Sequence, residues 1–276
     1  MTILAEQSTA EGRIFNEVVA LLDRQRDEPV GGALNELHAQ LQAIYDGKSK
    51  DFDVATCQMG LALLHFGLGN HEEAKRQTLN AKRTGGGEEH IASNALVLLL
   101  NTGEFLLAHE AAQEAGRRFV GNPTILRQAS IVLQDTLDFR ASADCIEKLL
   151  KMTTNDVEQA AITVHLDLMQ GLAERADELG YSAHSLIERA VCAVEALRSQ
   201  KHKIFWVQLR GTKVNSVALE FHVDANAETC AELNFVIADA LIENFDDTAM
   251  DLITMSTRSF AGRPSAMHST ITELHA

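Results

Sequence analysis

Three prolines and 17 glycines in 276 residues leave few of the breaks that a loop-rich or many-stranded fold requires. Cysteine is also scarce. Cys57, Cys145, Cys192 and Cys230 stand at long intervals in apolar surroundings, with no CxxC pair or Cys/His spacing for zinc, so they read as core thiols of a reducing compartment. Cations are outnumbered: 24 Lys and Arg face 39 Asp and Glu, a formal net charge of -15. Nucleic-acid binding needs a cationic surface to displace counterions and is not expected, whereas a basic protein partner is compatible with this charge. No segment approaches the run of about 18 apolar residues that crosses a membrane. Met1 to Gln7 lacks the basic flank and apolar run of a signal peptide, and the expected location is the cytoplasm.

What remains is a chain that is 46% hydrophobic, with long runs of Ala, Leu, Glu, Gln and Arg, and its coarse class is mostly α. Ser8-Thr9-Ala10-Glu11 has capping-box spacing. A helix from about Thr9 to Arg26 should follow, with Ile14, Phe15, Val18, Val19 and Leu22 on its apolar stripe, ending before Pro29 and Gly31-Gly32. A second helix carries Leu34, Leu37, Leu41, Ile44 and Tyr45. From Asp53 to Asn155 one helical hairpin is written three times at a spacing of 34 residues. The step takes Gly69 to Gly103, Ala74 to Ala108 and Ala81 to Ala115. A further step reaches Leu137, Ser142 and Leu149, and the rings of Phe105 and Phe139 follow His71 in register. Such a period marks helix pairs that bury their apolar faces by stacking on neighbours.

Over roughly residues 55–156 these positions resemble the tetratricopeptide repeat family. Leu61-Ala62 stand at its Leu-Gly pair, Gly69 at its turn, and Ala74 and Ala81 at its small positions on the second helix. The family Trp is replaced by Gln58 and Ala92, its Tyr by His65 and Leu99, and its closing Pro is absent near Gly86, although Pro123 opens the third copy. The resemblance implies an α-solenoid whose ligand lies in a concave groove of first helices. The groove positions fall on Met59, Leu63 and Phe66, then Ser93, Val97 and Leu100, then Arg127 and Ile131. An apolar groove of this kind marks a protein contact. The competing expectation is that the N-terminal helices or the C-terminal unit fold back and fill it. The family's clamp for C-terminal carboxylates needs Lys and Asn where this chain has Met59, Leu63 and Ser93, so that binding mode is not expected.

Residues 1–200 therefore read as a helical repeat domain: N-terminal capping helices over 1–54, three repeats over 55–156, and a divergent helix pair over 157–200. That pair spans Val157 to Glu178 and Ser185 to Ser199, with Gly180 at a left-handed turn and a second capping box at Ser185 and Glu188. Near Lys201 the period changes. Ile204 to Leu209 is densely apolar, and Val217, Leu219, Phe221 and Val223 then alternate with Ala218, Glu220, His222 and Asp224. A helix from about Asn226 to Phe245 buries Cys230, Leu233, Ile237 and Leu241, and Met250 to Ser256 reads as a last strand. The result is a ββαβ unit over 201–260 and a mobile tail over 261–276, α+β overall.

The function expected is a non-enzymatic scaffold or adaptor, chaperone-like, that holds a partner protein or peptide. An acidic immunity or antitoxin protein that neutralises a basic effector is the alternative. A second alternative is an enzyme with Glu220, His222 and Asp224 at its centre, although a strand with one wet face produces such triplets routinely. Glu243, Asp246, Asp247 and Asp251 lack the Gly and alternating oxygens of a calcium loop and read as solvated. Lys201, Lys203, Arg210 and Lys213 beside Phe205 and Trp206 form a basic stretch at a hairpin, and Gly85-Gly86-Gly87 is a link without the Lys of a phosphate loop. No cofactor and no metal are expected, and no membrane; a homo-oligomer stays open.

Overall fold

The computed structural model describes residues 9–24, 31–47, 52–211 and 216–260, and the chain forms two compact units, Met1–Thr102 and Gly103–Ala276. Ser8, Pro29, residues 212–215 of the turn expected over Arg210 to Asn215, and the tail expected over 261–276 lie outside the described residues. The chain is mostly helical, with eleven helices and one small sheet among the described residues.

In the first unit, α1 (Ala10–Arg24), α2 (Gly31–Gly47), α4 (His71–Gly85) and α5 (Glu89–Asn101) all pack on α3 (Val54–Gly67). The reason lies in the composition of α3. Between Val54 and Leu64 it carries no charged side chain, and every residue from Ala55 to Leu64 is buried. A helix that is apolar on all sides has no solvent face to present, and its neighbours must enclose it. Gly60 lets α2 come close, since a Cβ there would lie 2.6 Å from Leu41 Cδ2. Phe15, Leu34, Leu41, Met59, Leu61 and Leu64 form the centre of the resulting core.

The second unit stacks α6 (Phe105–Arg118), α7 (Pro123–Asp135), α8 (Phe139–Met152) and α9 (Asp156–Glu178) in series. Next come α10 (Ala183–Ser199), β1 (Ile204–Gly211), β2 (Val217–Val223), α11 (Ala227–Asn244) and β3 (Ile253–Ser259). The strand order is β1-β2-β3, with β1 antiparallel and β3 parallel to the central β2. The sheet shares this unit with helices: β1 packs on α7, and α11 packs on α10 and β3.

The 34-residue step appears in the backbone as a repeated turn. Gly69 and Gly103 have φ of 75° and 77°, and Leu137, one step further, holds the same left-handed conformation at 67°. The bonds repeat too: Asn70 N–H donates to His65 O at 2.7 Å, and Asp138 N–H to Leu133 O at 2.9 Å. Gly180 closes α9 in the same way at φ 80°. The small residues on the second helices, Ala74, Ala81, Ala108 and Ala115, are all buried.

Several local expectations need correction. Thr9 caps α1, its hydroxyl accepting from Gly12 N–H at 3.1 Å, while Glu11, expected to turn back on the cap, is buried and accepts from Asp53 N–H at 2.9 Å. Ser182 caps α10 by accepting from Ser185 N–H at 3.1 Å, three residues before the expected box. The last strand starts at Ile253 because a turn at Ala249, φ 59°, holds the chain back and leaves Met250 exposed.

Ala108→Leu should lower stability by about 1–3 kcal/mol through overpacking, read as a drop in the urea midpoint. Lys201 is exposed with φ 64°, so Lys201→Gly should raise stability by about 1 kcal/mol by relieving the left-handed conformation; a lowered thermal midpoint would show that the lysine is not strained there.

Candidate functional site

The expected groove residues divide by burial. Met59 and Leu63 are enclosed in the core of the first unit, where α1 and α2 cover α3 from inside the chain. Ser93 and Leu100 are buried as well. Phe66 and Val97 in the first unit and Ile131 in the second are half-buried, and Arg127 is exposed, its guanidinium paired with Glu158. Phe66 packs on the edge of the core and stacks on the His71 ring, centroids 5.4 Å apart.

The second strand of the sheet has no wet face at its centre, contrary to the alternating pattern. Glu220 and His222 are both buried, and Asp224 is exposed at the strand end. Arg258 donates to Glu220 Oε1 through Nε at 3.0 Å, and Arg210 Nη1 lies 3.5 Å from Oε2, so the carboxylate is clamped between cations from both neighbouring strands. Asp224 instead accepts from Lys203 N–H at 2.9 Å and lies 3.2 Å from His202 Nδ1. Glu220 and Asp224 are thus engaged by different groups, at the centre and at the end of the strand. Lys213 lies outside the described residues, and Arg210 is committed to Glu220.

A buried polar chain joins β1 to the helices. Leu209 N–H donates to Asp135 Oδ1 at 3.1 Å, and His165 Nε2 lies 2.6 Å from the Oε1 of neighbouring Gln134. Burial pushes the Asp135 carboxyl from 3.8 up to about 8, against the opposing effect of the Leu209 bond. Burial also pushes His165 down to about 4, so its ring is neutral and donates to Gln134.

In the first unit, ligand atoms of Asp53, Glu88 and His90 lie within 4.8 Å of one another. Thr56 Oγ1 sits 2.8 Å from His90 Nε2, and His90 Nδ1 lies 3.7 Å from Glu88 Oε2. The order is that of a nucleophile, base and orienting acid, but the Thr56 hydroxyl donates to Asp53 and is buried at 3% exposure. Its proton is committed away from His90. Asp53 also caps α3, accepting from Ala55 and Thr56 N–H at 2.9 and 3.2 Å, and Glu88 stands at the start of α5. Asp53 is thus committed to the positive end of α3, and burial together with the Asp53 charge raises the Glu88 carboxyl above its usual range. Thr56 and His90 are one 34-residue step apart, which makes the pair a bond between equivalent positions of successive first helices.

The acidic residues after α11 are held by Arg189, which is 8% exposed. Its Nε and Nη2 donate to Asp247 O at 3.0 and 2.6 Å, its Nη1 to Ser185 O at 2.7 Å, and its guanidinium lies over the rings of Phe245 and Tyr181. The Tyr181 hydroxyl donates to Asp247, which holds that carboxylate below its usual range. The loop is therefore a fixed element clamped to α10.

That clamp supports a surface the sequence reading passed over. Besides its buried stripe, α11 has a second one at the same helical spacing: Ala231, Phe235, Ala238 and Ile242, all exposed, with Phe235 at 73% and Ile242 at 67%. Glu228, Glu232, Asp239 and Glu243 run alongside it, exposed and without an ion pair among the described residues, and α11 carries no Lys or Arg. The stripe ends at a cleft of about 490 Å³ lined by Ile242, Glu243, Phe245, Asp246 and Thr248. The signal lay in the i, i+4, i+7, i+11 series, obscured because the first stripe already accounted for the helix. No family model, curated protein or solved structure matches the chain. No helix among the described residues is long and apolar enough to cross a membrane.

Two outcomes follow from the buried groups. Phe66→Ala should lower the melting temperature, since the ring packs against the core. Asp135 is protonated in the folded chain up to about pH 8 but ionises near 3.8 when unfolded, so its contribution to stability is lost as pH rises through 8. His165 gives the opposite slope, lost as pH falls from 6.5 through about 4. Between about pH 6.5 and 8 the Asp135 slope is unopposed by His165, and Asp135→Asn should flatten the fall in urea midpoint there; an unchanged slope would place the titration elsewhere.

Proposed function

We propose that the chain is a non-enzymatic interaction scaffold that holds a partner protein or peptide through the outer face of α11. The observation that carries this reading is the exposed Phe235 and Ile242 on one helical stripe, beside four exposed acids, Glu228, Glu232, Asp239 and Glu243. Exposed large apolar side chains in one contiguous row mark a contact surface, and a few such anchors carry most of an interface's energy. The separate engagements of Glu220 and Asp224, and the committed proton of Thr56, support a chain without a catalytic centre at those places. An adaptor and a neutraliser of a basic effector would use the same face.

A photo-crosslinking residue placed at Phe235 or Ile242 should join covalently to one partner in the native host, while the same residue at exposed Glu174 on α9 should not. Phe235→Ser combined with Ile242→Ser should keep the melting temperature within about 1 °C, because both side chains are exposed, and weaken the partner's affinity at least tenfold. Equal crosslinking at all three positions, or a double variant that binds as the parent does, would remove α11 from the function.

A further inference from the structure

Resting on the assignment of α11 as the contact face, we infer that its occupant is a basic amphipathic helix, with aliphatic or aromatic anchors along one stripe and Lys or Arg beside them. The apolar row from Ala231 to Ile242 covers about three turns, roughly 17 Å at 1.5 Å per residue, the length of a short helix laid along it. Helices recognised in this way present anchors at i, i+3 or i+4 and i+7.

The flank selects the sign. Glu228, Glu232, Asp239 and Glu243 stand on one side of the apolar row, so the charge partner must lie on one side of the docked helix as well. The acids also work against the helix they sit on. Its C-terminal end is the negative pole of α11 and draws cations, yet the last turn has no basic residue, and Glu243, Asp246 and Asp247 cluster there. The cleft beyond Ile242, walled by Glu243 and Asp246, can receive the last cation of the partner. A second copy of this chain would bring its own net charge of -15 to the contact and is disfavoured.

The test uses the full-length protein and three fluorescent 18-residue peptides with the same leucine stripe, flanked by Lys, by Gln or by Glu. Their binding is followed by anisotropy at low and high salt. The Lys peptide should bind at least tenfold more tightly than the Gln peptide and the Glu peptide not measurably. Its affinity should fall at least tenfold with Phe235→Ser, fall several-fold with Asp239→Asn plus Glu243→Gln, and weaken as salt is raised. Equal binding of the Lys and Gln peptides, with both lost in Phe235→Ser, would overturn the basic partner while leaving α11 as the contact face. Lys-peptide binding that ignores Phe235→Ser would be diffuse attraction to an acidic protein and would overturn both. A dimer in sedimentation that dissociates in Phe235→Ser would make a second copy the occupant and overturn the inference.

Discussion

The structure depends first on a backbone constraint: from α3 to α10 each helical hairpin must reverse within a few residues, and the reversal passes through one residue in the left-handed region. Glycine occupies it without strain at Gly69 and Gly103. At Leu137 the same conformation persists where the side chain makes it costly, which shows that the surrounding packing imposes the turn. Leu137 is itself buried, so its apolar contacts offset part of that cost. Once the turns are spaced at 34 residues, the small residues on the second helices come to equivalent buried places, and polar bonds such as Thr56 to His90 can link equivalent positions of successive first helices.

A second constraint concerns polar groups taken out of water. Strand β1 would leave the Leu209 N–H in an apolar layer, and Asp135 on α7 accepts it. The carboxyl remains there as the neutral acid, because an isolated charge at full burial would cost far more than the bond returns. Glu220 meets the same problem differently: it stays between Arg258 and Arg210, whose outer atoms reach solvent. Arg189 does a third version of this work, satisfying backbone carbonyls on α10 and on the loop after α11 while its guanidinium stacks on Phe245 and Tyr181.

Periodicity made the helices, the turns at Gly69, Gly103 and Gly180, and the ββαβ order legible, because each follows from local spacing. Burial by distant segments was not legible. The alternation at Val217 to Val223 promised a wet face, but the arginines that cover Glu220 come from β1 and β3, and no local pattern in β2 announces them. Met59 and Leu63 stand where a groove would lie in a simple solenoid. Their helix is apolar on every side, a sign in the sequence itself that α1 and α2 would close over it. A cap shows the same limit: Ser185 has the right spacing, yet Ser182 takes the role, since a cap is decided by where the helix begins.

The acidic face of α11 is where these threads meet. A surplus of 39 acids over 24 bases spread evenly would favour solubility and carry no specificity. On α11 it is ordered: four carboxylates hold one side of a helix whose other exposed side is apolar, and Cys230, Leu233, Ile237 and Leu241 fix the rotation that separates the two. The packing that folds the sheet therefore also sets the direction in which Phe235 and Ile242 face, and the Arg189 clamp keeps the acidic loop at the end of that row. Shape and charge on this face of α11 are thus consequences of the fold's own polar and apolar requirements.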